Sequence, residues 1–382
     1  MKENIGKLKD CYGCGVCCRS CPQNIIGFSL NSDGFYSPNI IDEDKCTECG
    51  ICLDICAYNH DALPVEIKKN EINAYGCWSK NPEIRESSTS GGLAYEIASK
   101  ALENESDVCA VKYDTKGNRA VNFIVKNPQE LRETQGSKYI PSFTWPGYKQ
   151  INLRSQNLIF GLPCQIDSWR RLIRRFKVED NFLLVDMLCH GTPSLLLWRN
   201  FIKETEKITG KIESVNFRSK KKGWHRPGIL IKGKATNLYT SELHSLFYKL
   251  FFNDICLNKC CQGKCKYKLL KSSADIRMGD FWGKKYAKNQ EGASVAIAYT
   301  ERGKEMINEL SDRCVFEPSS LEEAMDKQMA HNAPSSPFRD FMLAWLRRGL
   351  PLKPLYIITR LAMVAVNPLE TFKAIKNKLF RK

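Results

Sequence analysis

The 382 residues carry 58 Lys and Arg against 42 Asp and Glu, a formal net charge of +16, with 43% hydrophobic residues and eighteen cysteines. That length and apolar content fill a substantial core spread over two or three domains, which excludes a disordered or fibrous chain. The N-terminus, MKENIGKLKD, has no apolar stretch of a signal peptide, so the cysteines point to a reducing cytoplasm and to metal or redox chemistry.

The first fifty-six residues hold two identical runs, Cys11, Cys14, Cys17, Cys21 and Cys46, Cys49, Cys52, Cys56, each reading C-x2-C-x2-C-x3-C, the first followed by Pro22. This is the bacterial ferredoxin spacing for cubane iron–sulfur clusters, in which the fourth cysteine of each run serves the other cluster. The crossed assignment gives Cys11, Cys14, Cys17 and Cys56 to one cluster and Cys46, Cys49, Cys52 and Cys21 to the second. Gly13, Gly15 and Gly50 lie between ligands, where the backbone needs conformations open mainly to glycine. A zinc ribbon would use two pairs of ligands, and a disulfide knot needs an oxidising compartment; neither matches two triplets with outriders. Cys18 falls outside the pattern, as a small buried residue.

Residues 1–75 are therefore predicted to form an α+β ferredoxin-like two-cluster domain with a hairpin over Gly27–Tyr36. From Tyr75 to about residue 334, β-branched runs at 108–113, 120–125, 157–160, 182–188, 228–233 and 293–300 alternate with helical stretches Gln165–Phe176, Leu195–Ile208 and Arg302–Leu310. Strand then helix, repeated, predicts an α/β domain with a mixed sheet. Residues 335–382 form a basic tail. Its longest apolar stretch, Leu355–Val366, is interrupted by Arg360 and too short to span a membrane. Phe341, Leu343, Trp345 and Leu346 among many Lys and Arg read either as an amphipathic helix on a membrane surface or as a helix docked on the parent domain. The basic excess favours an anionic partner; no nucleic-acid reading motif accompanies it.

Three junctions in the α/β region carry candidate site residues. Ser87-Ser88-Thr89-Ser90-Gly91-Gly92 runs into a helix over Leu93–Leu102, where free N–H groups suit a phosphate, although an ordinary serine cap looks the same. Gly161-Leu162-Pro163-Cys164-Gln165 follows one strand and Cys189-His190-Gly191 another, both at the edge where open α/β sheets place ligands. Further on, Cys256, Cys260, Cys261 and Cys265 fall within ten residues, a group suited to a third cluster, a zinc ion or redox thiols. Cys256, Cys261 and Cys265, completed by Cys189 or Cys164, are the preferred ligand set, with Cys260 as the spare.

SSTSGG at 87–92, GSKYIPS at 136–142, GLPCQ at 161–165, CHGTPS at 189–194, the late cysteine group and ADIRMGDFWG at 274–283, in this order, resemble the beta-subunit family of coenzyme F420 hydrogenase and dehydrogenase. The resemblance is to bacterial members with a fused two-cluster ferredoxin, many from polysaccharide-biosynthesis loci, and covers roughly residues 1–300. It implies that the α/β mixed-sheet domain binds flavin as FAD, that two or three [4Fe-4S] clusters feed it, and that a deazaflavin or another small organic substrate exchanges hydride with it. It places Ser88, Ser90, Gly91, Gly92 and Lys138 near the FAD phosphates. The late cysteine group departs from the family spacing by one cysteine and one residue, leaving open what it binds, and no catalytic side chain is singled out. The expected partner is a redox protein or reduced carrier. The alternative from another class is an electron carrier whose α/β domain only docks; bound, reducible FAD discriminates the two.

Overall fold

The structure, a computed structural model, describes residues 3–263, 265–328 and 330–366. Its strands coincide with the β-branched and aromatic runs, which fit a pleated, half-buried surface. In chain order they are β1 (Ile26–Leu30), β2 (Tyr36–Ile40), β3 (Asn73–Ser79), β4 (Asp107–Asp114), β5 (Arg119–Val125), β6 (Ser142–Phe143) and β7 (Asn157–Gly161). There follow β8 (Phe182–Met187), β9 (Ile212–Ser219), β10 (Gly228–Gly233), β11 (Asn237–Ser241), β12 (Ile276–Asp280), β13 (Ser294–Ala298) and β14 (Cys314–Ser319).

Nine of these make one mixed sheet in the order β14-β3-β13-β12-β8-β7-β4-β5-β6. Its centre is parallel: β12 pairs with β8, β8 with β7 and β7 with β4, all in the same direction. Antiparallel pairs flank that centre through β13, β3 and β14 on one side and β5 on the other. All five residues of β7 and of β13 are buried, as strands covered on both faces must be. Because β7 and β8 are parallel neighbours, the chain leaves both at the same edge, and the turns carrying Cys164 and Cys189 lie side by side. The run 228–233 departs from the prediction. It forms β10 at the middle of a separate three-stranded antiparallel sheet, β11-β10-β9, because its partners are its own sequence neighbours.

The N-terminal module is built as the cysteine runs require. The β1–β2 hairpin runs from Ile26 opposite Ile40 to Leu30 opposite Tyr36. Short helices Val16–Ser20 and Ile51–Asp54 are each entered through a left-handed glycine, Gly15 at φ 76° and Gly50 at φ 72°. A Cβ at Gly13 would meet the Tyr36 carbonyl oxygen at 2.6 Å, so that loop tolerates only glycine. The module does not stand apart. Val16, Ile26 and Ile55 share one continuous core with Trp169, Leu172 and Ile173 of the helix Pro163–Arg175.

The C-terminal segment is partly docked. Helix Arg339–Arg347 packs on Leu195–Thr209, and Leu352–Val366 packs on Leu246–Phe251. Asn200 Nδ2 donates to the Leu346 carbonyl at 3.0 Å, and Glu204 accepts the Leu352 amide at 2.8 Å. Met342, Leu346, Leu352 and Leu355 are buried, while Phe341, Ile357, Ile358 and Leu361 face outward. Among the described residues no helix is long and apolar enough to cross a membrane. The rest of the basic tail, residues 367–382, lies outside the described residues.

Candidate metal and cofactor site

Three groups of thiols converge where the N-terminal module meets the C-terminal edge of the central sheet. In the first, burial and then the charges of Cys14 and Cys56 push the Cys11 thiol up, while Cys17 is raised first by its hydrogen bond with Cys18 and by burial, with Cys14 and Cys11 adding. Burial raises Cys14 to about 12, Cys56 adding to it. In the second, Cys52 is raised by burial and then by Cys21, Cys49 and Cys46. The same four cysteines line one cavity with Gly50 and Ile51. The fourth cysteine of each run thus stands beside cysteines of the other.

The third group is assembled from three distant segments. Burial drives Cys164 well up, with Cys14, Cys189, Cys261 and Cys265 as the neighbouring charges. Cys189 is pushed to about 12 by burial, then by Cys261 and Cys265, with Lys268 opposing. Cys261 is pushed up to about 11 by burial, against hydrogen bonds from Thr192. This set corrects the one preferred from sequence by a single member, Cys164 in place of Cys256. Cys256 is fully buried in the core, its Sγ 3.9 Å from the Leu250 carbonyl, and its neighbouring charges are Asp254 and Arg339. The cause is local pairing. Leu257 forms a bridge with Pro193 and the Ser194 amide bonds the Cys256 carbonyl, which turns residue 256 inward. Cys260 faces the N-terminal loop instead, beside Asp10 and Cys11.

The motifs explain how these thiols are held. In GLPCQ, Pro163 opens the helix Pro163–Arg175 and the Gln165 side chain accepts the Leu162 amide at 2.7 Å, leaving Cys164 in the first turn. In CHGTPS, the Thr192 carbonyl accepts the Asn258 amide at 2.8 Å, and Ser194 donates to the Asp33 carbonyl at 2.6 Å. The late loop is tied on both sides: Lys268 Nζ donates to the Cys189 and His190 carbonyls at 3.0 Å each, and Lys266 Nζ to Ala57 and His60 carbonyls at 2.8 and 2.5 Å. Asn258 Nδ2 reaches the Cys11 carbonyl at 3.0 Å.

ADIRMGD proves to be scaffold. Arg277 and Asp186, both fully buried, form a two-pronged pair at 2.7 Å and 2.7 Å, with Ser272 donating to Asp186 at 2.7 Å and Arg277 reaching back to the Leu269 carbonyl. Asp275 binds Arg170 at 2.8 Å, the Leu184 amide at 2.7 Å and Thr300 at 2.9 Å. Sequence reading missed these pairs. The signal for the Arg277–Asp186 pair was charge inside strands otherwise apolar.

The two loops expected at FAD lie together. Thr89 Oγ1 accepts the Ser137 amide at 2.7 Å and Ser88 Oγ accepts from Gln135 at 3.3 Å. The helix Leu93–Glu103 starts on Gly92, left-handed at φ 94°, with no side chain capping its first turn, so N–H groups remain for an anion. Ser90 is turned away, donating to the Ala293 carbonyl at 2.6 Å. Gly91 is packed against backbone, where a Cβ would lie 2.3 Å from the Cys77 carbonyl oxygen. Lys138 caps the end of the helix Pro128–Thr134, donating to the carbonyls of Thr134 at 2.7 Å, Gln135 at 3.1 Å and Glu133 at 3.3 Å. Burial lowers its ammonium to about 7. A second buried lysine, Lys220, donates to the Arg85, Ser90 and Glu291 carbonyls and fixes the serine-rich loop.

Comparison with known proteins agrees with this layout. The model of the coenzyme F420 hydrogenase/dehydrogenase beta subunit N-terminus matches residues 74–145, that of its C terminus residues 155–324, and a 4Fe-4S dicluster domain residues 10–60. The coenzyme F420-dependent sulfite reductase of Methanocaldococcus jannaschii is 26% identical over 164 residues, 42% of this chain; the match spans a quarter of that relative's length. A structure of the F420-reducing [NiFe] hydrogenase complex from Methanosarcina barkeri, derivatised with xenon, aligns over 73% of this chain and 88% of the other, with 14% identity and a TM-score of 0.46. With the N- and C-terminal models meeting across its α/β domain and a dicluster module in front, the chain belongs to the coenzyme F420 hydrogenase/dehydrogenase beta-subunit family.

Proposed function

We propose that the protein is an iron–sulfur flavoprotein oxidoreductase with three [4Fe-4S] sites in series: Cys11, Cys14, Cys17 and Cys56; Cys21, Cys46, Cys49 and Cys52; and Cys164, Cys189, Cys261 and Cys265. The observation that carries the reading is the third convergence, four thiols drawn from three segments between residues 164 and 265 to one sheet edge beside Cys14. The four thiols come from two β–α turns and one loop. Four cysteines at one edge can serve a cubane, which spreads its thiolates over separate irons, and the dicluster module in front gives it a source of electrons.

FAD is assigned to the paired loops at 87–92 and 136–142, its phosphates at the uncapped start of Leu93–Glu103 and its negative charge facing Lys138. When bound, the clusters move single electrons and the flavin exchanges two as a hydride with a small organic acceptor of the deazaflavin class, the coenzyme named in the family and in the sulfite reductase above. The chain's own contribution is placement. Cys14 and Cys164 adjoin, and Tyr12 packs edge-on to Tyr58 at 5.5 Å and Tyr267 at 5.8 Å while feeling the charges of Cys164 and Cys265, so the first and third groups share one packed wall.

The test is anaerobic purification, cofactor extraction and a screen for acceptors that reoxidise the dithionite-reduced protein. The reading expects FAD, about twelve irons and reoxidation by a deazaflavin. A flavin-free protein with about eight irons would favour a pure electron carrier.

A further inference from the structure

The helix Pro163–Arg175 carries a second residue on the face that bears Cys164. Ser168, one turn on, lies in the same row of side chains. Its hydroxyl is fully buried. It accepts the Ala57 amide at 3.1 Å and lies 3.5 Å from Cys14 Sγ. Both contacts concern the first thiol group, since Cys14 belongs to it and Ala57 follows Cys56. In the free thiol the proton between sulfur and oxygen comes from Cys14, and the serine's own proton has no acceptor among the hydrogen bonds of the described residues.

We infer that Ser168 donates a hydrogen bond to the Cys14 sulfur whenever that sulfur ligates iron, and so raises the reduction potential of the first cluster. The inference rests on the assignment of a cluster to Cys11, Cys14, Cys17 and Cys56. A metal-bound thiolate has no proton, so the bond must reverse and the idle serine proton finds its acceptor. The Ala57 amide, already spent on the serine oxygen, fixes the hydroxyl in place. A donor to a ligand sulfur spreads negative charge and favours the reduced state, which carries one electron more. Ser168 is a positioning residue that touches the ligand and not the substrate. It belongs to the α/β domain, so the potential of a cluster in the N-terminal module depends on a helix of its neighbour.

The test is redox titration of the full-length protein, followed by electron paramagnetic resonance, with and without Ser168→Ala. The reduced-to-oxidised ratio of the first cluster at fixed potential should fall about tenfold, a one-electron midpoint about 59 mV more negative, with the second cluster unmoved. An unmoved first-cluster midpoint at full iron content overturns the inference. If the variant loses iron, the unaltered protein decides. Its reduced first cluster should couple to one strong exchangeable proton beyond those of the Gly13 and Val16 amides at Cys11 and Cys14, and the absence of that additional coupling also overturns it. Absence of two cubane signals in the unaltered protein would instead strike the cluster assignment itself.

Discussion

The first two thiol groups and the third reach similar arrangements by different routes. Each N-terminal group takes three ligands from seven consecutive residues and one from the other run, so spacing alone defines it. The third takes Cys164 from one β–α turn, Cys189 from the next and Cys261 and Cys265 from a loop tied between domains, so only the sheet order defines it. A group written locally depends on its glycines and short helices. One assembled by topology depends on buried polar pairs far from the thiols, and it should fail when those pairs fail.

The largest expected effect follows. Arg277→Leu leaves the Asp186 carboxylate charged and buried without its partner, and breaking such a pair costs about 3–5 kcal/mol. Denaturant unfolding should show that loss. At temperatures where the variant stays folded, iron bound by the third group should fall before iron of the first two, because Arg277 also holds the Leu269 carbonyl of the late loop. Loss of all iron in step would contradict the distinction.

Next come the ligands themselves. Cys164→Ser should remove about four irons per chain and Cys256→Ser none, read by iron analysis on anaerobic protein. Cys21→Ser should damage the cluster of Cys46, Cys49 and Cys52 and spare the one its own run begins, read by the loss of one paramagnetic signal. Equal iron loss from the Cys164 and Cys256 variants would return the ligand choice to the one drawn from sequence.

These variants also mark what was legible in the sequence. The spacing of the two runs, the hairpin, the left-handed Gly13, Gly15 and Gly50, and most strands and helices of the α/β domain were readable because each is determined by residues near one another. The side-by-side turns of Cys164 and Cys189 were inferable from two strand ends. The structure sets Cys256 apart from the other late thiols because the inward turn of that residue is set by Pro193 and Ser194, more than sixty residues earlier, and spacing within the loop holds no trace of them. Ser168 was invisible for the same reason: its partners, Cys14 and Ala57, are over a hundred residues away. Of the two readings open for the tail, the described part follows the docked one, on the helices Leu195–Thr209 and Leu246–Phe251, a choice of partner that no local pattern announces.

A pH-dependent effect concerns the flavin side. Lys138 is lowered by burial to about 7, so between that value and the ordinary lysine value of 10.5 the unfolded chain binds a proton that the folded chain does not. Stability should therefore rise with pH across that window and level off below about 7. Lys138→Met should flatten the slope, measured as denaturant midpoints between pH 7 and 10. A slope unchanged in the variant would assign the proton elsewhere.

The central claim is that a third cluster sits in the α/β domain beside the first. Iron, acid-labile sulfide and FAD measured together on anaerobically purified full-length protein test it most directly. The account predicts about twelve irons, about twelve sulfides and one FAD per chain. About eight irons with Cys164 and Cys189 still open to alkylation would contradict it.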